Sequence, residues 1–106
     1  MNIILLIYNI FKVKYVSFSI YNDEDSFMNI CSIPFNGKYK IFKRYGEGNE
    51  IFMSASLENP TFRDILMEID KLIEITGDYH HTFLEDIYIG HQIDDEIYSL
   101  NVMLGS

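Results

Sequence analysis

The sequence predicts an α+β fold: a curved antiparallel sheet of about five to six strands with one amphipathic helix, about residues 60–76, packed on one face. Three observations predict it. One segment repeats apolar side chains at helical spacing, several others alternate or run apolar at strand length, and the strand-like segments lie on both sides of the helical one. The element order is then β-β-β-β-α-β-β, within one globular domain covering 1–106.

The helical segment is Asn59–Gly77, NPTFRDILMEIDKLIEITG. Asn59 suits an N-cap, since the residue before a proline is pushed out of the α region, and Pro60 suits the first helical turn. Gly77 suits the left-handed residue that ends a helix. Phe62, Ile65, Leu66, Ile69, Leu72 and Ile73 recur every three or four residues, opposite Arg63, Asp64, Glu68, Asp70, Lys71 and Glu74. Each buried apolar side chain is worth roughly 1.5–3 kcal/mol before chain entropy is charged. That stripe needs an apolar sheet face to cover it.

Strands supply the face. MNIILLIYNIF at the amino terminus reads as a buried strand: no basic residue precedes the apolar run, no small-residue cleavage site follows it, and it is too short to span a bilayer. Phe11–Ile20 is rich in β-formers, with a change of phase after Tyr15 that implies either a bulge or a strand end covered on both faces. Asn36–Gly37 is a favoured type I′ pair and predicts a hairpin of Phe27–Ile33 with Lys38–Tyr45. A turn at Tyr45–Asn49 leads to a strand at Glu50–Leu57. After the helix come Thr82–Ile89, a turn at His91–Asp95, and Glu96–Leu104 with Tyr98, Leu100, Val102 and Leu104 on one face.

Composition narrows the function. The chain has 106 residues and a net charge of −8. Residues 1–45 hold six basic side chains against three acidic, a balance of +3. Residues 46–106 hold two basic against thirteen acidic, a balance of −11. General nucleic-acid binding gathers positive charge instead, so nucleic acid is disfavoured as a partner, and no segment is a membrane span. Cys31 is alone, which fits a reducing compartment, the cytoplasm, and a buried small hydrophobe. Heavy use of Ile, Asn, Lys and Asp fits an AT-rich genome such as that of a virus or a thermophilic archaeon; a viral protein would act in the host cytoplasm.

Three clusters are candidates for chemistry. His80, His81, Glu85 and Asp86, with His91 close by, combine imidazole and carboxylate and so could serve a divalent metal or acid–base work. On a strand, though, His81 and Glu85 stand roughly 13 Å apart, too far to share one ion. No zinc spacing or complete catalytic set is present, so no cofactor is expected. Asp64, Glu68, Asp70 and Glu74 line the helix's outer side and could meet a basic protein partner. Lys38, Lys40 and Arg44 alternate with Phe42 on one strand face and could meet an anion.

The leading expectation is a small acidic, non-enzymatic interaction protein that binds a protein partner through its acidic helix side or its open sheet face. The alternatives are a metal-binding or hydrolytic domain centred on His80, His81, Glu85 and Asp86, and a homo-oligomer, a homodimer in its simplest form, joined through edge strands.

Overall fold

A computed structural model describes residues 13–17 and 34–105. Its elements are β1 (Lys38–Tyr45), β2 (Glu50–Met53), β3 (Leu57–Glu58), α1 (Phe62–Thr76), β4 (Phe83–Asp94) and β5 (Ile97–Gly105). The strands form one open sheet in the order β2-β1-β5-β4, with β3 pairing β1 beyond the end of β2. Among the described residues one helix lies on one face of a five-stranded sheet, the α+β class expected, but the order is β-β-β-α-β-β and the sheet is mixed rather than antiparallel, because β1 and β5 pair in parallel. The expected strand over Phe27–Ile33 lies outside the described residues, as do residues 1–10 and Cys31; of the strand expected over Phe11–Ile20, residues 13–17 are described, and they bend at Lys14 and Tyr15 and make a single β-bridge at Ser17 instead of a strand.

The sheet is two antiparallel hairpins joined by a parallel seam. β1 pairs antiparallel with β2 and β3, β4 pairs antiparallel with β5, and β5 runs parallel to β1 from Lys38↔Ile97 to Phe42↔Asn101. A parallel pair needs a long crossover, and the route from β1 to β5 passes through α1, which lies against β1 and β2. The seam therefore has its cover built into its own connection.

Alternation sorts β1 into two faces. Tyr39, Ile41 and Lys43 are buried, while Lys38, Lys40, Phe42 and Arg44 take the other side. The core gathers Ile65, Leu66, Ile69, Leu72 and Ile73 of α1 with Tyr39, Ile41, Leu84 and Leu100 of the sheet. Val13 and Val16 join it from the amino-terminal segment. That segment is held twice. Ser17 bridges β4 through Ser17 N–H to Thr82 O (2.9 Å) and Leu84 N–H to Ser17 O (2.8 Å). The Asp70 carboxylate accepts the backbone N–H groups of Lys14, Tyr15 and Val16 at 3.0, 2.7 and 3.0 Å.

The ends of α1 are closed by side chains. Thr61 is the N-cap: its hydroxyl accepts from Asp64 N–H (3.1 Å), and the Asp64 carboxylate accepts from Thr61 N–H (3.0 Å). This reciprocal box places the cap two residues beyond Asn59. Asn59 is engaged elsewhere. Its N–H donates to Gly37 O and its Oδ1 accepts from Gly37 N–H, both at 2.7 Å, which prolongs the β1–β3 ladder. Gly77 closes the other end at φ 69°, donating to Ile73 O at 2.9 Å.

Three other local expectations change. Asn36–Gly37 is a bend rather than a type I′ turn, since Asn49 and Asn59 are the non-glycine residues with positive φ among those described. The Glu50–Leu57 strand is broken at Ser54, whose hydroxyl takes Ile41 N–H in place of a ladder partner (2.8 Å). The turn expected over His91–Asp95 shrinks to Asp95–Glu96, because β4 runs on to Asp94 through irregular register after Ile89. Gly90 permits this path. A Cβ there would collide with Ser99 Oγ and sit 2.8 Å from the Asn101 amide.

Two outcomes test this packing in urea unfolding followed by circular dichroism. Ile69→Ala loses about 2–5 kcal/mol, since Ile69 is fully enclosed. Thr61→Ala loses about 0.5–2 kcal/mol, since its hydroxyl caps α1.

Candidate functional site

β1 and β5 part company after Phe42↔Asn101. Their diverging ends leave a cleft of about 580 Å³, within the range of small-molecule sites. Its walls bring together Lys43, Arg44 and Tyr45 of β1, Asp78 and His81 from the α1–β4 connection, and Asn101 and Met103 of β5.

At its base is a chain of ionisable groups. Lys43 Nζ lies 3.1 Å from Asp78 Oδ2, with 4% and 9% of the two side chains exposed, and His81 Nδ1 lies 2.9 Å from Asp78 Oδ1. Lys43 reaches this position because it shares the inward phase of β1 with Tyr39 and Ile41; its ammonium also stands 5.2 Å from the centre of the Tyr45 ring. Asp78 arrives by following the left-handed Gly77 that ends the helix. A helix C-terminus is a poor place for a carboxylate and a good one for cations, so Lys43 and His81 answer the local field as well as Asp78.

Burial alone would raise the Asp78 pKa. Hydrogen bonds from His81 and Lys43, and then their charges, outweigh it and hold the carboxyl below the usual range. With Asp78 on Nδ1, the neutral His81 ring carries its proton there and leaves Nε2 as an acceptor; a protonated ring presents Nε2–H as a donor. Asn101 Oδ1 is buried and has no hydrogen-bond partner among the described residues.

The structure separates most of the residues singled out in sequence. Of His80, His81, Glu85, Asp86 and His91, only His81 and His91 line the cleft. His91 is engaged edge-on with Phe42 (5.8 Å between ring centres) and its N–H donates to Ser99 Oγ. Asp86 accepts its neighbour's Ile87 N–H, and the Glu85 carboxylate packs over Gly105. His80 is exposed. No group of three or more His, Cys, Asp or Glu that could hold a metal ion occurs among the described residues.

The acidic helix residues are largely occupied. Asp64 closes the capping box, Glu68 pairs with Lys71 (3.1 Å) and Asp70 holds the amino-terminal segment; Glu74 is exposed. Lys38, Lys40 and Arg44 do share the outer sheet face. Lys38 pairs loosely with Glu96 (3.5 Å), while Lys40 and Arg44 make no ion pair with another described residue.

The outer face is also apolar. Register places Met53, Phe42, Asn101 and Tyr88 in one row across four strands, with Ile51 beside Arg44 and Met103 on β5 flanking it. Ile51, Met53, Tyr88 and Met103 are 42–51% exposed. Sequence reasoning missed the Lys43–Asp78 pair, although its signal was present: a lysine in the same strand phase as Tyr39 and Ile41.

Comparison of the chain with protein families, with curated proteins and with solved structures finds no match. No described helix is long and apolar enough to cross a membrane.

The buried pair has measurable consequences. Lys43→Ala leaves the Asp78 charge without its buried partner and costs about 3–5 kcal/mol in urea unfolding at neutral pH, whereas Lys43→Met/Asp78→Leu costs less. Because the folded Asp78 pKa is depressed, its contribution is fully present above the unfolded value of about 3.9 and is lost as pH falls through the folded value. Unfolding free energies followed through acid should show that loss in the intact protein and a flatter profile in Lys43→Met/Asp78→Leu.

Proposed function

We propose that the protein is a small acidic, non-enzymatic interaction module that binds a protein partner through the open face of its sheet. One observation carries this reading: Ile51, Met53, Tyr88 and Met103 lie exposed around Phe42 on the face opposite the helix, with Lys40 and Arg44 among them. Exposed aromatic, Met and Arg side chains are the residue types enriched at interface cores. The acidic helix side is the weaker candidate, since Asp64, Glu68 and Asp70 already serve the fold.

A partner matched to this face has an apolar centre and an acidic rim facing Lys40 and Arg44. The rest of the surface is negative enough to repel nucleic acid, which favours a protein as the partner. A cytoplasmic setting and a viral source complete the proposal, resting on the single cysteine and the AT-rich residue usage.

The test is affinity capture from source cells, comparing the intact protein with Ile51→Lys/Met53→Lys and with Glu74→Lys. Both positions of the double variant are exposed, so folding is retained. A partner held by the intact protein and by Glu74→Lys, and lost from Ile51→Lys/Met53→Lys, is the expected result. Retention by the sheet variant with loss from Glu74→Lys would move the interface to the helix. Sedimentation showing a concentration-dependent mass, abolished by Ile51→Lys/Met53→Lys, would identify the partner as a second copy.

A further inference from the structure

We propose that the cleft between the parted ends of β1 and β5 is a binding site for a phosphate monoester carried on an aromatic body, with Arg44 and His81 as the groups that take its oxygens. This site borders the protein-binding face and shares Phe42, Arg44, Tyr88 and Met103 with it, but Tyr45, Asp78 and His81 belong to the cleft alone. Three features of the cleft lead to it: charge, shape and fixed geometry.

The charge of the cleft is opposite to that of the chain. Its fully ionised side chains are Lys43, Arg44 and Asp78, a balance of +1 in a protein of −8, and protonation of His81 adds another positive charge. Lys43 is consumed by Asp78, so the surplus resides on Arg44, which makes no ion pair with another described residue; His81, more than half exposed, adds a hydrogen-bonding ring. A guanidinium and an imidazolium reaching in from two separate chain segments match an anion with several oxygens better than a single-point contact would.

The cleft is also lined by flat apolar surface. Phe42, Tyr45 and Tyr88 contribute rings, and Met103 contributes a soft thioether against which an aromatic body packs. About 580 Å³ is room for such a group together with its phosphate.

Preorganisation comes from Asp78. One carboxylate oxygen holds Lys43 and the other holds His81 Nδ1, so the imidazole is oriented and its Nε2 is left to meet a ligand. Lys43 and Asp78 act here as positioning residues. A ligand then meets donors already placed, which lowers the ordering cost of binding.

The experiment uses the full chain and ¹H–¹⁵N spectra of the Arg44 and His81 side chains, with phenyl phosphate, inorganic phosphate and a phosphotyrosyl pentapeptide as probes. Phenyl phosphate should shift both signals saturably and bind about tenfold or more tighter than inorganic phosphate, about 1.4 kcal/mol by the tenfold rule. Arg44→Ala and His81→Gln should each weaken it by about tenfold, and Ile51→Ser/Met53→Ser, which leaves the charge beside Arg44 unchanged, should bind it as the intact protein does. Tighter binding of the pentapeptide than of phenyl phosphate assigns the group to a modified protein; equal or weaker binding assigns it to a free small molecule. Absence of saturable shifts at millimolar phenyl phosphate, or equal binding by the Arg44→Ala/His81→Gln variant, overturns the proposal. Either result leaves the protein-binding face to its own test.

Discussion

The helix stripe pressed into the inner face of the sheet is the constraint from which the other features follow. Ile65, Leu66, Ile69 and Ile73 are withdrawn from water against Tyr39, Ile41 and Leu100. That contact sets which phase of β1 points inward. It therefore decides that Lys43 is buried and that Lys40, Phe42 and Arg44 are presented outward. It also fixes where α1 ends, and so where Asp78 is delivered. A buried ammonium and a buried carboxylate are each costly alone; their meeting at 3.1 Å is what makes both tolerable.

The parallel seam has a second consequence. β1 and β5 keep register for five residues and then diverge, since β1 turns toward β2 at Tyr45–Asn49 while β5 stays with β4 to Gly105. The opening between them is the cleft. The cleft arises where the pairing ends, and the ion chain at its base joins Lys43 of β1 to Asp78 and His81 beyond the helix terminus.

The acidic residues divide by task. On α1, Asp64 closes the helix, Asp70 ties down a segment fifty-odd residues earlier in the chain, and Glu68 pairs within its own turn. Their negative charge answers backbone donors and a neighbouring lysine, which is why a strongly acidic helix need not be an interaction surface. The outer sheet face, with its exposed Tyr, Met and Ile side chains, is the more apolar of the two surfaces.

How much of this was legible depended on distance along the chain. Helix periodicity, the left-handed Gly77, the alternation of Lys38–Tyr45 and the α+β class are all consequences of local repeat and residue shape, and the amino-acid order by itself determined them. So did the outward placement of Lys38, Lys40 and Arg44, by strand parity. The cap was misplaced by two residues because Asn59 and Thr61 are equally competent locally, and a contact with Gly37, twenty-two residues away, decided between them. The parallel seam, the split histidine cluster, the Asp70 clamp and the Lys43–Asp78–His81 chain were decided only by tertiary structure. Each joins groups from different elements, and no local periodicity encodes which buried charge will find which partner once a helix and a sheet close on one another.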